Sequence, residues 1–266
     1  MASSTLDVGD TVFEIRSTSE EFSAWIDDVF SAYLTDEEAG AYLSVVAPKV
    51  DASKPRSVRE FNLLYKGTGE IVRTLHLPTV ARVLMSEIEM FLYLDRDDAI
   101  YSSVVPISAN GATAIVPEGL VNALAGMGRK LKRAGITLPA ARAVAIEPTT
   151  GRVLPPPRLL DLPADALERL GDLGSGNGNP DRATIDGPVS PTVVLTSQYA
   201  GGEMALQPVS RARALQSLTT SVINLEKLGG TALEGLARIV REVPCYAVGG
   251  SEDEMLESVK IALRKA

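Results

Sequence analysis

Apolar residues at Phe22, Trp25, Ile26, Val29, Phe30 and Tyr33 recur at steps of three and four, the period of one helix face. Thr18 with Glu21 offers a capping box for that helix, and the stripe predicts a packed core face. Short apolar runs at 11–16 and 42–46 predict strands. Residues 61–65 and 70–75 flank Lys66-Gly67-Thr68-Gly69 and predict a hairpin with a glycine-containing turn. Pro78 then opens a helix over 80–94 that is apolar on most sides and so is expected to be buried. Together these elements predict a small α+β unit over residues 1–95.

Two more strands are predicted at 99–105 and 112–116, joined across Asn110-Gly111, a strong turn signal. The spacing of Leu120, Leu124 and Leu131 predicts a helix over 119–134, ended by Gly135. A strand at 143–146 leads into the turn Glu147-Pro148-Thr149-Thr150-Gly151 and the stiff run Pro155-Pro156-Pro157-Arg158. Strand, helix and strand in that order predict a βαβ unit and hence a parallel sheet. Gly, Asn and Pro dominate 171–191, which predicts a flexible loop. A strand at 192–196, helices at 210–223 and 231–241, and a strand at 243–248 follow. Ser251 and Glu254 box the start of a last helix ending near 266. Residues 96–266 therefore read as a second, α/β domain.

Composition narrows the classes. The chain has 266 residues, enough to bury a core without a disulfide or metal. Its single cysteine, Cys245, excludes an internal disulfide, and its single histidine, His76, excludes a multi-histidine metal site. A net charge of -8 argues against nucleic acid as a partner, since phosphate contacts need clustered Lys and Arg. No apolar run reaches the roughly 18 residues of a membrane span, and residues 1–10 are polar, without a secretory h-region. A soluble, cytoplasmic protein is expected.

The later motifs resemble a known family. Val194-Leu195-Thr196-Ser197-Gln198-Tyr199, Leu206-Gln207-Pro208-Val209-Ser210, Asn224-Leu225-Glu226-Lys227-Leu228-Gly229-Gly230 and Val243-Pro244-Cys245-Tyr246 stand in the order of the C-terminal domain of the HPr kinase/phosphorylase-like family. The strand, loop, helix and strand over 112–158, ending in Pro157-Arg158, match it in shape. The resemblance covers about half of the chain. It implies a P-loop-kinase-like α/β sheet with flanking helices and a phosphotransferase ancestry.

The chemistry implied by that family is where the chain departs. A phosphate loop reads G-x-x-x-x-G-K-[ST], so that glycine N–H groups cradle phosphates, Lys neutralises them and Ser/Thr holds magnesium. Here the loop reads Pro117-Glu118-Gly119-Leu120-Val121-Asn122-Ala123-Leu124-Ala125. In register, Leu124 takes the Lys place and Ala125 the Ser/Thr place, while Glu118 adds a negative charge. A carboxylate several ångströms from a triphosphate repels it by roughly 1 kcal/mol or more at surface-like dielectric. The family's acidic pair falls on Ala141 and Arg142, which can neither hold magnesium nor accept a proton. Its histidine on the preceding strand falls near Ser102 or Ser103. Three parts of one active site are replaced together.

Other candidates compete with this reading. Gly126-Met127-Gly128-Arg129-Lys130 is weighed as a displaced phosphate loop against a continuous helix. Arg129, Lys130, Arg133 and Arg158 are candidate contacts to an acidic partner. Asp95, Asp97 and Asp98 crowd one turn, a divalent-ion candidate against solvated loop charge. The sequence thus favours a non-catalytic, HPr kinase-like binding or accessory subunit for a protein or peptide, with no cofactor or metal, and self-associated or built into an oligomer. It leaves open an active kinase with a remodelled site drawing on Glu147, Arg158 or Arg142. It also leaves open a purely structural, self-assembling subunit.

Overall fold

The computed structural model describes residues 1–9, 11–47, 61–117, 120, 124, 127–136, 143–155, 157, 159–170, 187–197 and 206–266, with the backbone alone at 128 and 129. The chain is mixed α/β and divides into two compact units, Met1–Leu92 with Arg158–Asn179, and Tyr93–Pro157 with Pro180–Ala266.

The first unit is a five-stranded sheet in the order β1 (Ala2–Val8), β2 (Thr11–Ser17), β3 (Ala41–Val46), β4 (Asn62–Lys66), β5 (Gly69–Thr74). β2 and β3 are parallel, and α1 (Glu20–Val29) makes the crossover; the other pairs are antiparallel. Alternation places Phe13 and Ile15 of β2, Leu43 and Val45 of β3, and Leu64 of β4 in one core. The α1 stripe of Phe22, Trp25, Ile26 and Val29 joins them, with Leu84 and Ile88 of α2 (Leu77–Leu94). The helix begins one residue later than its sequence suggests. Ser19, not Thr18, is the N-cap and accepts the Phe22 N–H at 3.2 Å. Thr18 instead exchanges two hydrogen bonds with the backbone of Ala47.

Two features of this unit escape local pattern. β1 has few apolar residues, and its buried face is Ser4, Leu6 and Val8. Residues 159–170, assigned by sequence to the second domain, pack on the first unit through Leu160, Ala166 and Leu170. The Trp25 indole N–H donates to the Ala166 carbonyl at 2.7 Å, so a buried aromatic donor finds its acceptor more than a hundred residues away.

In the second unit the strand predicted over 99–105 is broken. β6 (Ile100–Ser102) and β7 (Val105–Ala109) belong to different sheets. β7 turns through Asn110 and Gly111, with φ of 53° and 82°, into β8 (Ala112–Val116). That is the left-handed pair a two-residue hairpin needs. Past β8 the helix α3 (Gly128–Arg133) ends in a Schellman motif. The Ile136 N–H reaches the Leu131 carbonyl at 3.0 Å, and Gly135 sits at φ 69°.

The predicted βαβ pairing is corrected here. β9 (Val144–Ile146) pairs antiparallel with β6 and with β10 (Val153–Leu154) in a separate three-stranded sheet. The parallel partner of β8 is β11 (Val193–Ser197), which also pairs parallel with β13 (Cys245–Val248). β12 (Gln207–Pro208) and β7 close this five-stranded sheet as antiparallel edges. Hydrophobicity made β9 a strand; which strand it meets depends on tertiary packing, on which periodicity is silent.

The remaining helices are α4 (Arg211–Thr219), α5 (Leu225–Leu228), α6 (Gly230–Glu242) and α7 (Glu252–Lys265). α6 lies so close to the 147–151 turn that a Cβ on Gly235 would sit 2.7 Å from Ile100 Cδ1 and 3.1 Å from the Pro148 backbone. The α7 capping box is formed by Ser251 and Glu254 as the sequence suggested. Among the described residues no helix is long and apolar enough to cross a membrane.

Candidate functional site

In parallel sheets, ligands gather beyond the carboxyl ends of the strands. Here β8 and β13 deliver Pro117 and the Gly249-Gly250-Ser251 turn to that end, and α7 starts directly after the turn. The Leu120 N–H bonds to the Pro117 carbonyl at 3.0 Å and the Met127 N–H to the Leu124 carbonyl at 2.9 Å. Leu120, Leu124, Met127 and Leu131 all turn inward, into one core with Val116, Val193, Leu195 and Val259. Leu124, the position matched to the phosphate-neutralising lysine, is 0% exposed. Its side chain fills the core.

The nearest described cation of this segment is occupied. Lys130 Nζ lies 2.8 Å from Asp253 Oδ1 and 3.8 Å from Glu252 Oε2, on the first turn of α7. The hydrogen bond to Asp253 raises the Lys130 pKa against an opposing loss of hydration. Glu254 is held as a carboxylate below its usual range by the Ser251 N–H and hydroxyl. Glu252, Asp253 and Glu254 favour the helix N-terminus from which they project, and the same charges oppose a phosphate there. Sequence reasoning missed Glu252 and Asp253 as partners of Lys130, although the acidic triplet after the capping box was visible.

The other expected positions scatter. Arg133 is exposed. Glu118, Gly119, Asn122, Ala125, Ala141, Arg142 and Arg158 lie outside the described residues, as does the Arg129 side chain. Ser102 and Ser103, at the family's histidine place, both donate to the Ser221 carbonyl, at 2.9 and 3.3 Å. They brace β6 against the segment after α4. Glu147 accepts the Thr150 hydroxyl within its turn, which leaves a carboxylate shaping a loop.

The acidic turn at 95–98 is also taken up by the fold. Asp98 receives two hydrogen bonds from Arg96, each 2.8 Å, and one from the Tyr101 hydroxyl. Its pKa is lowered first by Arg96. Tyr101 stacks on Tyr93 with centroids 4.5 Å apart, and burial raises its pKa. Asn224, 1% exposed, binds this turn: Oδ1 accepts the Tyr101 N–H, and Nδ2 donates to the Arg96 and Ala99 carbonyls. The Asn-Leu motif of the sequence is therefore a structural clamp. Among the described residues no group of three or more His, Cys, Asp or Glu could hold a metal ion. His76 is exposed, and its backbone N–H donates to Thr74 Oγ1. Cys245 is buried, and burial pushes its thiol up, so the neutral form dominates.

Comparison of the chain with protein-family models, with curated proteins and with solved structures finds no match.

Proposed function

We propose that this protein is a non-catalytic, HPr kinase-like subunit that works in the cytoplasm by binding a protein or peptide partner, within a homo- or hetero-oligomer. The observation that carries the reading is Leu124. The residue in the lysine place is sealed in the core with Leu120 and Met127, and the nearby Lys130 is drawn to Asp253. A triphosphate arriving at the end of β8 would meet aliphatic packing and an acidic helix start where it needs an ammonium group and a hydroxyl. The parallel arrangement of β8, β11 and β13, with a loop and helix after β8, supports a P-loop-kinase-like ancestry for the second unit.

The test is thermal unfolding of the full chain with millimolar magnesium-ATP. A ligand at a hundred times its dissociation constant adds about 2.7 kcal/mol of stability, a shift of several degrees. The reading expects an unchanged transition. A clear upward shift would overturn it and favour a working phosphotransferase.

A further inference from the structure

At the opposite end of the parallel strands a different surface stands open. The C-terminus of α6, the entry to α4 and the start of β13 enclose a cleft of about 380 Å³. A second depression of about 470 Å³ lies along α6, and Arg241 and Glu242 line both. Val209, Val243 and Tyr246 give the cleft a partly apolar floor, and the Cys245 thiol beneath is kept protonated by burial. The rim is guanidinium. Arg211 Nη2 donates to the Arg241 carbonyl at 3.0 Å, which fixes Arg211 at the cleft mouth. The guanidinium groups of Arg241 and Arg238 have no ion-pair partner among the described residues, and neither have the two lining carboxylates, Glu234 and Glu242.

We propose that this cleft holds a carboxylate-bearing segment of a partner peptide, with Arg211 and Arg241 on the carboxylates and Val209, Val243 and Tyr246 under the apolar atoms between them. Three arginines against two glutamates leave a local surplus of one positive charge on a chain whose net charge is -8. Guanidinium forks suit planar carboxylates and bind them in bidentate fashion. The apolar floor suits a peptide better than a free inorganic anion. Glu234 and Glu242 oppose any anion, so the arginine forks must outweigh them; a few arginines can do so for one or two carboxylates but fall short of the clustered cations that dense nucleic-acid phosphates need. The proposal rests on the binding reading above only in taking the occupant to be a peptide.

The experiment titrates the full chain into a dye-labelled oligoglutamate peptide and follows anisotropy at low and raised salt. Saturable binding is expected, absent for oligoglutamine, and weakened about tenfold or more by Arg211→Gln with Arg241→Gln. Arg→Lys at both sites keeps the charge and loses the fork, so it should weaken binding less. Arg238→Gln with Arg241→Gln is the second variant, because neither side chain is tied within the described fold. The proposal is overturned by no binding of oligoglutamate, by equal affinity in either Gln pair, or by an equal loss in Lys130→Gln with Arg133→Gln. Equal binding of single-stranded DNA, or competition by free glutamate at peptide-like concentration, overturns it as well. The binding reading fails separately, by a magnesium-ATP melting shift.

Discussion

At the carboxyl end of β8 and β13, Leu120, Leu124 and Met127 are sealed into the core, and Lys130 faces the carboxylates of α7. At the amino end of β13, Arg211 and Arg241 line a cleft and Arg238 the depression beside it, and among the described residues none of the three forms an ion pair. One sheet thus presents an aliphatic and acidic end and a cationic end. Net charge alone would predict neither, because an overall charge of -8 is compatible with local surfaces of either sign. Position relative to the strands decides what each end can recognise.

The largest effect should come from placing a cation in the closed end. Leu124→Lys places an ammonium group where an aliphatic side chain is fully buried, and should cost about 4 kcal/mol in chemical denaturation without creating nucleotide affinity. A stable variant that gained ATP binding would erase the distinction between the ends. Asn224→Ala comes next. It strands the Tyr101 N–H and the Ala99 and Arg96 carbonyls, and about 3 kcal/mol of stability should be lost by the same measurement. Gly235→Ala pushes a methyl group at Ile100 and the Pro148 backbone, for about 2 kcal/mol. Both changes act on the frame between the ends and should impair each equally.

Smaller effects sharpen the contrast. Arg241→Gln should leave the melting temperature within about 2 °C of the parent while binding of an acidic peptide falls. Lys130→Gln breaks only exposed ion pairs, so its melting shift should also be small and should vanish in high salt. The pH dependence has a defined sign at Asp98. Its folded pKa is lowered by Arg96, so the stability it contributes is present above the unfolded value of about 3.9 and is lost as pH falls through the folded value. Arg96→Gln should flatten that part of the pH–stability curve.

The features legible in the sequence were those specified within a few residues. The α1 stripe, the Asn110-Gly111 turn, the glycine stop of α3 and the Ser251–Glu254 box are local patterns with local causes. Where two local partners competed, the sequence was off by one: Thr18 and Ser19 are both capping residues, and the Ala47 backbone engages Thr18. Features set by distant partners were not legible. β9 had no sign of its antiparallel neighbours, and residues 159–170 had no sign that Trp25 would receive them. Lys130 read as a contact for an acidic partner, and α7 of the same chain brings Asp253 to it. The helix carrying Arg238 and Arg241 was legible, but the cleft beside them needed α4 and β13 in place.

Titration calorimetry of the full chain with magnesium-ATP tests the closed end most directly. With Leu124 in the core and Lys130 held by Asp253, injections should give only the heat of dilution. A saturating heat at one nucleotide per chain, abolished by removing magnesium, would contradict that closure.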